Sequence, residues 1–303
     1  FVPGGFLAAT TLSARTVKIL FILFLGGVGV KASIMPLHGW LPTAMVAPTP
    51  VSALLHAVAV VKSGVFGIIR VTGFVFGPRL MAELGLNIVL AGFAAATILL
   101  ASLLAFREDN LKRRLAYSTV GHLSYIALGT ALLAPAALAG GLLHLAFHAT
   151  LKITLFFCAG AIYVNLHKEK ISEMDGIGKV MPWTMGAFTV GAIGLAGIPP
   201  LNGFVSKWYL GLGSLQAGRS YALALLVLSG LLNAGYFFPI VRRAFFKEGA
   251  LAANAKEASP ALVIPLLVTA GLSLGLGLYP DLFFRFYRLA AAAAASVFGG
   301  PGS

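Results

Sequence analysis

The sequence predicts an all-α polytopic membrane protein of about eight transmembrane helices followed by a short C-terminal helix. Three observations carry that prediction. Of 303 residues, 59% are apolar and only 10% charged, and mean hydropathy is +0.93, far above the usage of water-soluble domains. Apolar runs of roughly 20 residues, enough to cross a bilayer, recur along the chain. The basic residues fall in short clusters between those runs, as they do in membrane loops. The net charge of +13 therefore points to loop topology, and no nucleic-acid partner is expected.

In chain order, residues 1–16 read as an external lead-in. They open on Phe1 with neither Met nor a charged signal-peptide start, so the chain reads as N-terminally truncated. The run 17–45 carries Lys31 and then Pro36, Gly39 and Pro42, and the run 48–76 carries Lys62. Uninterrupted runs follow at 84–106, 115–134 and 137–166. The run 181–216 carries Gly197, Pro199, Pro200, Gly203 and Lys207, and the runs 220–241 and 259–280 close the series. Proline cannot donate a backbone hydrogen bond and clashes with the preceding turn, so the three interrupted runs predict broken helices, with Pro36, Pro42, Pro199, Pro200 and Gly203 marking the breaks. Residues 17–280 form one transmembrane domain, and 281–303 an amphipathic helix and tail at the interface.

Basic residues test the count. If each broken run is a single crossing, one side receives Arg107, Lys112, Arg113, Arg114, Lys168, Lys170, Lys179, Arg242, Arg243, Lys247 and Lys256, and the other receives seven basic residues. Splitting the 181–216 run into two crossings would move Arg242, Arg243 and Lys247 to the poorer side. Single crossings are preferred, with the 107–114 and 167–179 loops inside a prokaryotic inner (plasma) membrane.

That census leaves Lys31, Lys62, Lys152 and Lys207 inside spans, while all nine acids lie in loops or at span ends. A lysine at the bilayer centre costs about 3 kcal/mol on insertion scales, so four of them demand a reason. Individual lysines can snorkel to an interface or bind carbonyls. Lysine, unlike arginine, can exchange its proton inside a protein, which makes a row of them a candidate proton relay. His144, His148 and Lys152 are spaced i, i+4, i+8, along one helix face with about 6 Å between neighbours. His56 and His122 join the candidate relay, although a lone membrane histidine is as often a packed one. His56 shares a helix face with Ser52 and points away from Lys62. Two histidines offer metal ligands, but with no acid or cysteine beside them no metal is expected. The single Cys158 excludes an intramolecular disulfide and a cysteine-ligated cluster, and no cofactor motif is present. Lys31 precedes its break and Lys207 follows its own, as an inverted repeat would place them.

At these residues the chain resembles a known family. KASIMPLHGWLPTAMVAPTPVSALLHAVAVVKSGVFGIIR, EDNLKRRLAYSTVGHLSYIALG, HLAFHATLKITLFFCAGAIY and MPWTMGAFTVGAIGLAGIPPLNGFVSKWYL are similar to the antiporter-like subunits of complex I, Mrp-type cation/proton antiporters and membrane-bound hydrogenases. SKWYL and DGIGKVMPWTMGAF are most like the D component of Mrp-type antiporters. The resemblance implies about fourteen helices with two inverted five-helix repeats, each containing a discontinuous helix. It implies that Lys31 is the lysine of the first discontinuous helix, Lys62 the bridging lysine, Lys152 the central-axis lysine and Lys207 the ionisable residue of the second discontinuous helix. The glutamate that pairs in the family with the lysine at Lys31 is not in this chain.

The functional expectation is proton translocation through buried Lys, His and water inside a multisubunit complex, with Na⁺ or K⁺ as candidate exchanged ions and lipid around it. One alternative is the pump module of an NADH-quinone oxidoreductase or membrane-bound hydrogenase. A second is a purely structural membrane subunit. Nothing in the chain supplies a catalytic redox site, which leaves an enzymatic role to a complex it would belong to.

Overall fold

The computed structural model describes residues 4–249, 256–282 and 284–299. The final four residues of the expected C-terminal tail, the first three of the lead-in, and residue 283 of the C-terminal segment lie outside the described residues.

Helix α1 (Ala14–Ala32) starts where Ser13 accepts a hydrogen bond from Thr16 N at 3.2 Å, an N-cap that satisfies one orphan amide. After an irregular stretch holding Pro36, the chain continues as α2 (Trp40–Thr43), which contains Pro42, and a 3₁₀ turn at Ala44–Val46. Helices α3 (Thr49–Ala57) and α4 (Val60–Arg70) return across the molecule and end in a π turn at Val71–Phe76. The interruption in this run sits at Val58 and Ala59, where there is neither proline nor glycine. A short α5 (Pro78–Glu83) leads into α6 (Leu86–Arg107), α7 (Leu111–Ala131) and α8 (Pro135–Leu166). Asn110 caps α7 through Arg113 N at 3.1 Å. At 32 residues α8 is about 48 Å long, well beyond the ~30 Å of a hydrocarbon core. The rest comprises α9 (Ile177–Val180), α10 (Pro182–Ala196), α11 (Asn202–Gln216), α12 (Ser220–Phe246), α13 (Pro260–Leu278) and α14 (Phe286–Phe298).

Among the described residues, five segments are long and apolar enough to cross a membrane: 49–76, 86–107, 135–166, 220–246 and 260–278. Helix α7 is less apolar because it is central, with Arg114, Ser118, Thr119, His122 and Ser124 all buried in the bundle.

Helices α10 and α11 form one broken crossing. Near the C-terminal end of α8, the Cys158 thiol donates to Thr184 O of α10 at 3.2 Å. Further along, a Cβ on Gly194 of α10 would press on Leu151, while Cβ atoms on Gly140 and Gly213 would strike Leu210 N and Ala137 N across the α8–α11 contact. The two short helices thus run in sequence down α8, from its C-terminal end to its N-terminal end. The loops agree. Leu111 N donates to Glu169 O and Ile171 N to Asp109 O, and Gly176 N donates to Arg243 O, gathering the three basic loops at one end. Ala136 N to Gln216 Oε1 marks the other end. The single-crossing count therefore stands, and Arg242, Arg243 and Lys247 join the other basic loops.

The C-terminal helix does not simply float at an interface. Ala290, Ala294 and Val297 of α14 are buried, and Phe286 packs edge-on against Phe147 of α8 with ring centroids 6.0 Å apart.

Candidate functional site

The break between α10 and α11 is made by backbone chemistry. Gly197 takes φ 87°, a left-handed conformation that costs glycine nothing and ends α10. Pro199 and Pro200 follow in the turn, and α11 begins at Asn202. The last carbonyls of α10 have no partner within their own helix. Lys207, in the second turn of α11, folds back and donates to Leu195 O at 2.8 Å and Ala196 O at 2.9 Å. The ammonium thus caps the negative end of the α10 dipole. It also lies over the Tyr125 ring, 5.2 Å from its centroid.

Lys62 approaches from α4. Its Nζ donates to Leu145 O at 2.8 Å and lies 3.0 Å from His148 Nδ1, both on α8. His148 is the first of three histidines whose rings gather between α7 and α8. The His122 and His144 rings stack with centroids 5.2 Å apart, and His148 lies 5.3 Å from His122 and 5.8 Å from His144. His122 Nδ1 is 3.1 Å from His144 Nε2, and His144 Nδ1 is 2.8 Å from Ser206 Oγ of α11.

The partners fix the tautomers. Asn233 Nδ2 of α12, an obligate donor, sits 3.3 Å from His122 Nε2, and Ser206 Oγ donates to Gly203 O at 3.1 Å. His122 Nε2 is then an acceptor, and its Nδ1–H donates to His144 Nε2. His144 Nδ1–H donates in turn to Ser206. The chain Asn233, His122, His144, Ser206 has one polarity throughout. Asn233 also reaches Tyr125 OH at 3.1 Å and Leu195 O at 3.3 Å, the carbonyl that Lys207 uses, and accepts from Tyr236 OH at 2.5 Å. Tyr125 OH lies 2.5 Å from Ser229 Oγ, and Tyr236 OH bonds to Ser118 at 3.0 Å.

Lys152 is fully buried and donates to Leu115 O of α7 at 2.9 Å, with the Phe237 ring centroid 5.6 Å away. The i, i+4, i+8 stripe is present on α8, but the direct partner of His148 is Lys62 on another helix, while His148 Nε2 is buried without a protein partner. His56 stacks on Phe156 with centroids 4.9 Å apart, and both its ring nitrogens are unpartnered.

Lys31 departs from expectation. It occupies the last turn of α1, but its side chain is exposed on the surface of the described bundle rather than buried among helices. Of the four span lysines, Lys62 and Lys152 are buried, Lys207 is half-buried and Lys31 lies outside the network. Ser206, Tyr125, Ser229 and Asn233 are the linkers that sequence reasoning missed. Asn233 had a usable signal, since it is the one amide side chain inside an otherwise apolar run at 220–241.

Residues 6–233 match the family model described as NADH:quinone oxidoreductase/Mrp antiporter, TM. NADH-quinone oxidoreductase subunit N of Desulforudis audaxviator is 43% identical over 233 residues, covering 76% of this chain and 46% of that protein. Hydrogenase-4 component B of Escherichia coli is 39% identical over 231 residues, covering 71% of this chain and 34% of that protein. Among solved structures, a chain of the Mrp complex from Dietzia sp. DQ12-45-1b superposes with a TM-score of 0.86 at 26% identity, over 97% of this chain and 61% of that one. The chain spans half or less of the length of these two curated relatives.

Proposed function

The chain belongs to the NADH:quinone oxidoreductase/Mrp antiporter transmembrane family, and on that premise we propose that it is a proton-translocating subunit of a multisubunit membrane complex. Protons pass among Lys62, the His148, His144 and His122 cluster, Lys152 and Lys207, with His56, stacked on Phe156 of the same helix as Lys152, as a further member. The observation that carries this reading is the 3.0 Å contact between Lys62 Nζ and His148 Nδ1 inside the bundle. An ammonium N–H pointed at an imidazole lone pair transfers its proton without any change of geometry: Lys62 becomes a neutral amine and His148 an imidazolium. The buried His148 Nε2–H is then the group that releases a proton toward Lys152, through water where no side chain intervenes.

The polarised histidine chain supports the second leg. A proton arriving at His122 Nε2 displaces the Nδ1 proton to His144, which passes its own Nδ1 proton to Ser206 as Ser206 gives up its O–H proton to water. One passage reverses both tautomers, and ring or hydroxyl reorientation resets them. Lys207 touches this leg through the shared Leu195 carbonyl and the Tyr125 ring. Charge on one lysine raises the cost of protonating the next, so loading at one end is felt at the other.

Residues 17–280 act as one translocation domain, preceded by the external residues 1–16 and followed by the helix and tail at 281–303. The breaks at Pro36 and at Pro199 and Pro200 open backbone carbonyls toward the path, whereas Pro42 lies within α2 and Gly203 within the first turn of α11, so those two flank breaks without making them. Lys31 is assigned to the relay through groups beyond this bundle, consistent with its exposure. We place the basic loops on the cytoplasmic side of a prokaryotic inner membrane. Other membrane subunits, lipid, H⁺ and an exchanged Na⁺ or K⁺ are its partners, and the D component of an Mrp-type antiporter is the preferred placement.

The oxidoreductase reading, in which this chain is the pump module of a quinone- or hydrogen-linked complex, is favoured by the names of the curated relatives. Purification of the complex separates the two: small membrane subunits without an iron–sulfur protein mark an antiporter. Lys152→Met in the assembled complex tests translocation itself. We expect proton flux into vesicles to fall at least tenfold, and wild-type flux in that variant returns the chain to a structural role.

A further inference from the structure

Helix α8 carries a second polar stripe. Thr150, Thr154 and Cys158 repeat at i, i+4, i+8, about a third of a turn around the helix from His144, His148 and Lys152. This stripe faces α13 and the start of α11. Asn202 Nδ2 donates to Thr150 Oγ1 at 2.9 Å, and Ser273 Oγ of α13 bonds to the same oxygen at 3.0 Å. One turn on, Thr154 Oγ1 bonds to Thr269 Oγ1 at 2.8 Å. Beyond that, Cys158 donates to Thr184 O, and Thr184 Oγ1 donates to Glu257 at 2.7 Å, at the end where the basic loops gather.

At its other end the row meets the histidines. Asn202 and Ser206 lie one turn apart on the buried side of α11, and Ser206 is the hydrogen-bond partner of His144. Backbone contact closes this side of the helix break, since a Cβ on Gly277 of α13 would strike Pro200 O.

Here Asn202 is fully buried and its Oδ1 has no protein partner, although it sits at the junction between the hydroxyl row and the histidines. A buried amide oxygen in that state costs about 1–3 kcal/mol unless water bonds to it. Ser206, Ser273, Thr269 and Thr154 keep a lone pair free for an arriving proton, whereas Thr150 donates to Phe147 O and accepts from both Asn202 and Ser273, so a hop through it needs the Ser273 bond to turn around.

We propose that the row Ser206, Asn202, Thr150, Ser273, Thr269 and Thr154 is a second, hydrated branch carrying protons between His144 and the basic-loop end of the molecule. A proton delivered from bulk water at the Glu257 end binds one oxygen as the next O–H proton moves on. The hop repeats through the hydroxyls and the water held by Asn202. It ends on Nδ1 of neutral His144, which is free in the tautomer that one passage of the histidine relay leaves, and His144 becomes an imidazolium. No bond other than O–H and N–H is made or broken. The inference rests on the proton-translocation reading above.

The test uses the full-length subunit in its assembled complex, with proton flux read in vesicles. Thr154→Val keeps the shape and removes the hydroxyl, so flux should fall about tenfold, whereas Thr154→Ser should stay within about twofold of wild type. Wild-type flux in Thr154→Val, or equal loss in both variants, overturns the branch. Should Thr154→Val fail to assemble, Cys158 decides: Ag⁺, small enough to follow a file of water, should block wild-type flux but not that of Cys158→Ala. Equal silver response in the two proteins overturns the branch. Lys152→Met serves as the control. If it transports normally the translocation reading itself has failed, and if it is inactive while Thr154→Val is normal only the branch has.

Discussion

Lys62 Nζ lies 3.0 Å from His148 Nδ1 and 2.8 Å from Leu145 O, so a lysine on the fourth helix is bonded to two groups on the eighth inside the membrane body. Both are acceptors, and no acid takes part. The ammonium is held by neutral groups alone, which is the arrangement that lets it give its proton away. Lys62→Ala in the assembled complex should lower proton transport at least about tenfold, or roughly 1.4 kcal/mol. Lys62→Arg should do nearly as badly, because guanidinium keeps its proton. Transport by the Arg variant at the wild-type rate would show that only charge, not proton exchange, matters at this position.

The same contact sharpens the expectation for His148. Replacement by Phe keeps ring volume but takes away the acceptor of Lys62, so assembly should persist while flux falls. Gln restores an acceptor for the ammonium without a titrating ring, and should recover thermal stability better than it recovers flux. Recovery of both together in His148→Gln would reduce His148 to a spacer for Lys62.

Much of the fold was legible because its causes are local. Run length and the Pro199–Pro200 and Pro36 interruptions placed the crossings, and the basic loops fixed which ends lie together. What was not legible depends on which way a helix faces. Lys31 and Lys62 look alike in sequence, each a cation in an apolar run, yet Lys31 is exposed and Lys62 is buried against α8. Rotation of α1 against its neighbours decides that, and no periodic pattern records it where nearly every position is apolar. The break in the 48–76 run at Val58 and Ala59 could not be placed for a related reason: it carries no proline or glycine. The pairing of His122 with His144 joins two helices and is invisible to spacing along either one.

Lys207 caps a helix end as well as serving the relay, and the two roles separate experimentally. Lys207→Ala leaves the Ala196 carbonyl without its donor and Leu195 O with Asn233 alone, with a cost of about 1–3 kcal/mol in stability if no water replaces the ammonium. Lys207→Arg keeps a donor and positive charge at the carbonyls, so the assembled complex should melt close to wild type. Transport should fail in both. A transporting Lys207→Arg would confine the residue to capping.

Orientation is checked by labelling. In the full-length protein, cysteine placed at Lys170 should react with impermeant reagents from the cytoplasmic side and cysteine placed at Leu133 from the outside, since the Leu111–Glu169 and Gly176–Arg243 bonds hold the basic loops at one end. The reverse pattern would invert the molecule. Labelling of both from one side would contradict the crossing by α8 that separates the two positions, and with it the span count.

Asn233 sets the polarity of the histidine chain, which gives a test that touches neither lysine nor histidine. Its amide nitrogen faces His122 Nε2 while its oxygen accepts from Tyr236. In Asn233→Asp the position facing His122 becomes an acceptor, so His122 must place its proton on Nε2. Its Nδ1 then becomes an acceptor, and His144 can serve it only by donating from Nε2. The His144 nitrogen facing Ser206 loses its proton in turn, and Ser206 must give up Gly203 O to donate to it. The resting chain is thus reversed from end to end, and a carboxylate is added near the carbonyl shared with Lys207. Asn233→Leu instead removes the donor and leaves His122 Nε2 and Tyr125 OH each short of a partner, at about 1–3 kcal/mol per unmet group. We expect Asn233→Leu to lower the melting temperature of the complex together with flux. Asn233→Asp should assemble, because a carboxylate can take the Tyr236 bond and a His122 N–H, yet its flux should drop several-fold with a changed pH profile. A pH profile and flux equal to wild type in Asn233→Asp would mean that proton transfer does not run through His122 and His144.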